Sequence, residues 1–296
     1  MVINNGQSVA VEKESILSDN NIGAQEYLVF CQFLEHQCGI VLGDNKQYLV
    51  RSRLSPLVAK YNIDSVSALI VKVTANRDVQ LHNAVINAMT TNETLWFRDT
   101  YPFDILKHTL LPTYAPLRTP LRIWSAACSS GQEAYSIAMI IAEYKRQHPG
   151  AFMGGVQIVG TDISSDMIKH CKAAQYDSIA LSRGLSEARK AQFFESSEAP
   201  GSVNRRLKME IRKMVIFMPI NLLDSFCKVG KFDMVFCRNV LIYFSTRSKQ
   251  KILQKIAACL PPEGPLFVGA SESLSSLSTQ FSMLRCHPGL YYTKKS

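Results

Sequence analysis

The chain has 296 residues, with 33 Lys and Arg against 24 Asp and Glu for a net charge of +9, and 47% of its residues are hydrophobic. A chain of this length buries roughly three quarters of its unfolded surface, and its 15 Gly and 12 Pro exclude collagen-like, low-complexity or disordered character. The charge favours an acidic partner without choosing among nucleic acid, anionic lipid and an acidic protein surface.

The eight cysteines form no CxxC pair and no Cys/His cluster at zinc spacing. They read as reduced core residues, with no metal site. The opening MVINNGQSVAVEKES lacks the basic flank and apolar run of a signal peptide, and no apolar stretch approaches the ~18 residues of a membrane span. A cytoplasmic protein without membrane insertion is expected.

In chain order, residues 1–22 are polar and read as a flexible tail. Apolar residues then recur at three and four: Leu28, Cys31, Phe33, Leu34 and Cys38, then Val50, Leu54, Leu57 and Val58, then Val66, Leu69, Ile70 and Val73, then Leu81, Val85, Ile86 and Met89. A helical domain over 23–90 follows. Residues 91–120 read as a linker, because Pro102, Pro112, Pro116 and Pro120 suit a connection better than one long helix.

From residue 121 short apolar runs alternate with helical stretches, the pattern of βαβ units in a parallel sheet. Strands are predicted at Leu121–Ala126, Val156–Thr161, Val215–Pro219, Phe232–Cys237 and Leu266–Ala270. Phe281–Cys286 and Leu290–Thr293 flank His287-Pro288-Gly289 as a closing hairpin. Residues 185–214 are too long and polar for an ordinary connection and read as an inserted subdomain, with Arg205–Met214 alternating like an edge strand.

The first strand runs into WSAACSSGQEAYSIAM, residues 124–139. Small residues there admit a ligand close to the backbone, and a helix begins near Gln132 with Ala134, Ile137, Ala138 and Ile141 inward. With one glycine, the turn lacks GxGxxG, which removes support for a nicotinamide or flavin. The second strand ends in Asp162, which suits either the hydroxyls of a ribose or the cap of a helix starting at Ser164.

Five segments in order, TNETLWFRD (91–99), AACSSGQEAYSIAM (126–139), VGTDIS (159–164), PINLLD (219–224) and FDMVFCRNVLIYF (232–244), resemble the CheR family. These are S-adenosylmethionine-dependent chemoreceptor glutamate O-methyltransferases. The resemblance implies an α/β fold: a small N-terminal helical domain, then a Rossmann-like class I methyltransferase domain over 121–296 with a small inserted β-subdomain. It implies that the 91–120 linker contributes to the cofactor site, and that the methyl donor is S-adenosyl-L-methionine, leaving S-adenosyl-L-homocysteine. By the same resemblance Asn92, Thr94, Arg98, Glu133, Asp162, Asn221, Leu222, Arg238 and Asn239 contact the cofactor, and Arg98 and Tyr243 stand at the transfer site. The partners it implies are the cytoplasmic domains of methyl-accepting chemotaxis receptors, met by a monomer in signal transduction.

Lys46, Arg53 and Lys60, spaced by seven with Arg51 nearby, share one face of a continuous helix and would suit an acidic receptor helix. Pro56 is expected to break that helix. The segment Arg183–Lys213 holds 8 Lys and Arg against 4 Asp and Glu, and a receptor C-terminal peptide could add a strand there. Two other readings compete. A non-catalytic cofactor-binding scaffold is opposed by the full set of matched site residues. A nucleic-acid methyltransferase is opposed by CysArgAsnVal where a flipped base would meet an Asn/Asp-Pro-Pro-aromatic motif, and no nucleic acid is expected as partner.

Overall fold

The computed structural model describes residues 22–75, 78–196, 204–226 and 229–296. The expected tail lies outside the described residues apart from Ile22, which is buried. The chain divides between Thr90 and Thr91 into two units.

The first unit holds helices α1 (Ala24–Cys38), α2 (Gln47–Lys60), α3 (Val66–Ala75) and α4 (Val79–Met89). Local chemistry sets their ends. The Glu26 carboxylate returns to the Gly23 N–H at 2.9 Å, Gly39 closes α1 at φ 78°, and the Asp78 side chain accepts from the Gln80 and Leu81 N–H groups of α4. The inward face of α1 is Tyr27, Phe30, Leu34 and Cys38, whereas Leu28, expected inside, is exposed. Pro56 does not break α2, which runs through it to Lys60. Val50 and Leu54, fully buried six and two residues before Pro56, hold the helix to its neighbours and offset the bond that Pro cannot donate.

In the second unit the proline-rich stretch is helical, contrary to expectation. Helix α5 (Tyr101–Ile105) continues through one π turn (Leu106–Leu110) into α6 (Leu111–Tyr114). Pro102 and Pro112 stand in the first turns of α5 and α6, where a missing N–H costs least, and the π turn absorbs the register change with Leu111 N–H on the Leu106 carbonyl. Phe103, Ile105, Leu106 and Leu111 then pack into the core.

Strands β1 (Leu121–Ala126), β2 (Val156–Asp162), β5 (Val215–Pro219), β6 (Met234–Cys237), β7 (Pro265–Phe267), β8 (Phe281–Cys286) and β9 (Gly289–Lys294) form one seven-stranded sheet in the order β5-β2-β1-β6-β7-β9-β8. The first five are parallel and β9 and β8 close the sheet antiparallel. Helices α7 (Gln132–Gln147), α8 (Ser165–Ala173) and α12 (Thr246–Cys259) follow β1, β2 and β6. Two apolar layers cover the sheet, one built around Ile123, Phe236 and α7, the other around Trp124, Val235 and α12.

The segment between β2 and β5 departs from its prediction. Strand β3 (Gln175–Tyr176) pairs antiparallel with β4 (Arg205–Arg206), and α9 (Ser178–Ser182), α10 (Glu187–Phe193) and α11 (Met209–Arg212) surround them. Arg205–Met214 is therefore a two-residue strand and a helical turn, because Leu207 and Ile211, four apart, are the positions buried. Among the described residues the seven cysteines form no disulfide; Cys227 lies outside the described residues.

Candidate functional site

The chain winds from β1 outward to β2 and β5, then returns to place β6 on the other side of β1. A crevice at the carboxyl ends of the strands belongs at such a reversal. Four chain segments meet there.

The first is the turn after β1. Ala127, Ser129 and Gly131 all hold positive φ, of 56°, 50° and 94°. Its carbonyls are secured from beneath: the Tyr176 hydroxyl donates to Ser130 O at 2.7 Å and the Cys171 thiol to Ser129 O at 3.1 Å. The turn's inner surface is thus fixed with only small side chains beside it. Its helix α7 carries ten inward residues, including the predicted Ala134, Ile137, Ala138 and Ile141.

The second is the end of β2. Asp162 is buried; one carboxylate oxygen accepts from Ser129 N–H at 2.8 Å and the other from Ser164 N–H at 2.9 Å. Burial raises its pKa, and backbone donors, Ser164 and Ser129 among them, offset part of the rise. Backbone donors, Ser129, Ser164 and Ile163, take up most of the carboxylate's roughly four acceptor positions, so it organises the turn and keeps residual acceptor capacity. The α8 cap itself is Ser164, whose hydroxyl accepts from Met167 N–H. Asn221 lies just past β5, where Ile220 N–H bonds the Asp162 carbonyl, and its side-chain oxygen accepts from Leu223 N–H at 3.0 Å. The Leu222 side chain enters the core.

The third is the linker. Phe97, Asp99 and Thr100 take positive φ of 50°, 65° and 53°, a conformation costing roughly 1–3 kcal/mol per non-glycine residue. Ion pairing and packing hold it. The Arg238 guanidinium, with its side chain only 1% exposed, bridges Glu133 at 2.9 Å, Asp99 at 2.8 Å and the Arg98 carbonyl at 2.8 Å. Glu133 also accepts from the Ser125 hydroxyl at 2.8 Å. Behind the linker, Arg189 stacks on Phe97 at 3.9 Å and forms a two-pronged bond to Glu143. The Arg98 side chain folds back to Glu93 O at 3.2 Å and stays half-exposed. Asn92 presents its carbonyl to the Ser129 hydroxyl at 2.7 Å, and Thr94 is half-buried.

The fourth is the end of β6. Asn239 holds φ 57°, and the Glu272 carboxylate accepts from Asn239 N–H at 2.8 Å, Gly269 N–H at 2.6 Å and Ile242 N–H at 3.2 Å. A Cβ on Gly269 would stand 2.6 Å from the Asn239 side-chain Nδ2 and 2.8 Å from a Glu272 carboxylate oxygen, so a larger residue there would displace both side chains. Tyr243, half-buried, closes the 3-10 turn Leu241–Tyr243 that this carboxylate secures, while Phe244 is core.

Asn92, Arg98, Glu133, Asp162, Arg238 and Asn239 are therefore linked to one strand edge through these bonds. Sequence reasoning missed Asp99, Ser125 and Glu272. Asp99 adjoins Arg98 in the quoted motif, and Glu272 follows a strand end in a Gly/Ser turn as Asp162 does. Both were visible as acids without visible partners.

The four basic residues of the first unit behave differently from one another. Arg53 donates to Met89 O at 2.6 Å and closes the carboxyl end of α4. Lys46, Arg51 and Lys60 are exposed, with Lys46 and Lys60 over the rings of Tyr48 and Tyr61 at 5.8 and 5.7 Å.

A family model described as "CheR methyltransferase, SAM binding domain" matches residues 92–290, and one described as "CheR methyltransferase, all-alpha domain" matches residues 25–90. A chemotaxis protein methyltransferase of Vibrio parahaemolyticus is 53% identical over 274 residues, covering 93% of this chain and 98% of the relative. One from Pseudomonas aeruginosa is 49% identical over 272 residues, covering 91% and 98%. One from Escherichia coli is 32% identical over 254 residues, covering 85% of each.

Proposed function

Because the chain belongs to the CheR methyltransferase family, and so is an S-adenosylmethionine-dependent methyltransferase, we propose that it esterifies specific glutamate side chains on the cytoplasmic domains of methyl-accepting chemotaxis receptors. The product is a glutamyl methyl ester, used for sensory adaptation. S-adenosylmethionine supplies an electrophilic methyl group on a sulfonium and leaves as S-adenosylhomocysteine.

The residues at the strand edge suit that donor. Asp162 offers its remaining acceptor capacity to the ribose hydroxyls. Glu133 and Asp99 share one Arg238, which leaves a net negative charge beside the turn for an ammonium or sulfonium. Asn221, Leu222 and Asn239 flank the adenosine, and Asn92, Thr94 and Arg98 the amino-acid end.

A glutamate carboxylate, with a pKa of about 4.3, is already ionised near neutral pH, so the acceptor needs no general base. Its oxygen forms the new bond to carbon as the carbon–sulfur bond breaks, and the electron pair stays on sulfur. What the protein provides is alignment and exclusion of water, worth several kcal/mol. Arg98 holds the incoming carboxylate by a charge-assisted bond, and Tyr243 orients the methyl group. The observation that carries this reading is the Asp99–Arg238–Glu133 bridge, which ties the strained backbone bearing Arg98 to the turn after β1.

The reading places the protein in the cytoplasm as a monomer. Among the described residues no helix is long and apolar enough to cross a membrane. Exposed Lys46, Arg51 and Lys60 contribute positive charge toward an acidic receptor. The β3–β4 pair, with Arg205 and Arg206 exposed, is a place for a receptor C-terminal peptide to add a strand.

The test is transfer of a labelled methyl group from S-adenosylmethionine to membranes containing the host's receptors. Base-labile label on the receptors is expected. Base-stable label, or none, would contradict glutamate esterification.

A further inference from the structure

Helix α12, TRSKQKILQKIAAC, carries Arg247, Lys249, Lys251 and Lys255 and no carboxylate. Arg247, Lys251 and Lys255 lie four apart, so they form one row along the helix surface. Two like-charge pairs at this spacing oppose helix formation, and the first turn adds a cation at the positive end of the helix dipole. Neither effect helps the fold.

The row divides by what its members touch. Lys255 is committed internally, donating to Leu223 O at 2.5 Å and Asp224 O at 2.8 Å, and thereby fixes the turn that carries Asn221. Arg247 and Lys251 are exposed and form no hydrogen bond or ion pair among the described residues. Asp224 is the carboxylate that faces the row, and it acts on Lys255. Ile242, 50% exposed, stands beside Tyr243 just before the cap residue Ser245. Because α12 follows β6, its first two turns rise from the same sheet edge as Asn239 and Tyr243.

We infer that Arg247 and Lys251, together with the exposed Ile242 next to Tyr243, form the surface that receives the acidic protein segment carrying the accepting glutamate. This inference rests on the reading of the site as a glutamate methyltransferase. Charge complementarity selects the occupant: a segment rich in glutamate places neighbouring carboxylates over unpaired cations while one carboxylate reaches the transfer site. Cations that oppose helix stability and form no ion pair among the described residues are those that binding accounts for.

The experiment compares wild type, Arg247→Gln/Lys251→Gln and Arg247→Glu/Lys251→Glu in methylation of receptor membranes across salt concentrations, with S-adenosylhomocysteine affinity and thermal midpoint measured alongside. The glutamate pair is expected to raise KM for receptor about tenfold or more and to flatten its salt dependence, with the glutamine pair intermediate. Cofactor affinity should be unchanged, and the glutamine pair should melt no lower than wild type. If wild type labels receptors and both variants match it in KM and salt slope, the inference is overturned while the proposed function stands. If wild type itself leaves no base-labile label, the proposed function fails and this inference falls with it.

Discussion

Two arginines, one at each end of the parallel strands, show how the same side chain serves opposite purposes. At the amino end Arg122 is met by neutral acceptors: Gln157 Oε1 at 2.9 Å, Lys231 O at 2.6 Å and Val229 O at 3.1 Å, with its guanidinium over Phe232. At the carboxyl end Arg238 is met by two carboxylates and the carbonyl of Arg98, and its Nε is buried without a partner. The linker it holds is strained at three residues, whereas the segments that Arg122 ties together include a glycine, Gly230, at their positive φ. The amino edge is built for stability and the carboxyl edge for holding a costly shape.

Removing each arginine should separate the two purposes most strongly. Arg238→Met leaves Glu133 and Asp99 without their cation, and breaking such a buried pair costs about 3–5 kcal/mol. The folded fraction should also lose most of its turnover, since the backbone of Arg98 is released. Arg122→Met should cost about 1–3 kcal/mol through unsatisfied carbonyls and leave kcat of the folded enzyme near wild type. Thermal unfolding with kinetics on the same samples checks both. Equal loss of kcat in the two variants would abolish the distinction.

Asp162→Ala sharpens the carboxyl-edge account through cofactor affinity. Loss of a charged acceptor worth about 1.5–3 kcal/mol should weaken S-adenosylhomocysteine binding about ten- to hundred-fold in calorimetry. The wild-type pH profile adds the sign. Burial raises the Asp162 pKa, so on acidification it takes up its proton earlier than an ordinary carboxylate. Affinity should therefore begin to fall above the usual carboxylate range. Over the window between the unfolded and folded pKa values, Asp162's own contribution to stability declines as pH rises, because the folded state binds more protons there. Asp162→Ala should remove both dependences.

Glu272→Gln is a subtler disturbance, because an amide cannot accept three backbone donors with both heads. The turn carrying Tyr243 should loosen, with kcat reduced about tenfold while the core stays intact. A cycle with Tyr243→Phe should be non-additive if Glu272 acts through that turn, and additive if it only supports the fold. The smallest effect is Arg53→Ala, which should lower stability by about 1 kcal/mol through lost bonds at the end of α4, with cofactor affinity unchanged.

The sheet was legible because its parallel strands are written as short, mostly apolar runs: Leu121–Ala126 and Val215–Pro219 match residue for residue, although Ile216 and Pro219 on the edge strand β5 are exposed. The closing hairpin was legible from its turn. Proline misled twice, at Pro56 and at Pro102 and Pro112, since its cost depends on position in the helix and on packing that no local pattern reveals. Arg205–Met214 fits both an alternating and a helical period, and only the burial of Leu207 with Ile211 decides. At the site, residue types and order pointed to the strand edge, but the bonds that shape it span 139 positions from Asp99 to Arg238 and 33 from Asn239 to Glu272. Such partners emerge only when the chain is folded. Arg53 shows the converse, a residue of the expected type whose guanidinium is occupied within its own unit.

The central claim is that the carboxyl edge holds Arg98 and Tyr243 for methyl transfer. Its most direct measurement is single-turnover methylation of receptor membranes by Arg98→Ala and by Tyr243→Ala, each saturated with S-adenosylmethionine so that binding does not limit. The account predicts that each variant slows transfer about a hundredfold or more. Near-normal rates in both would contradict the placement of the active site.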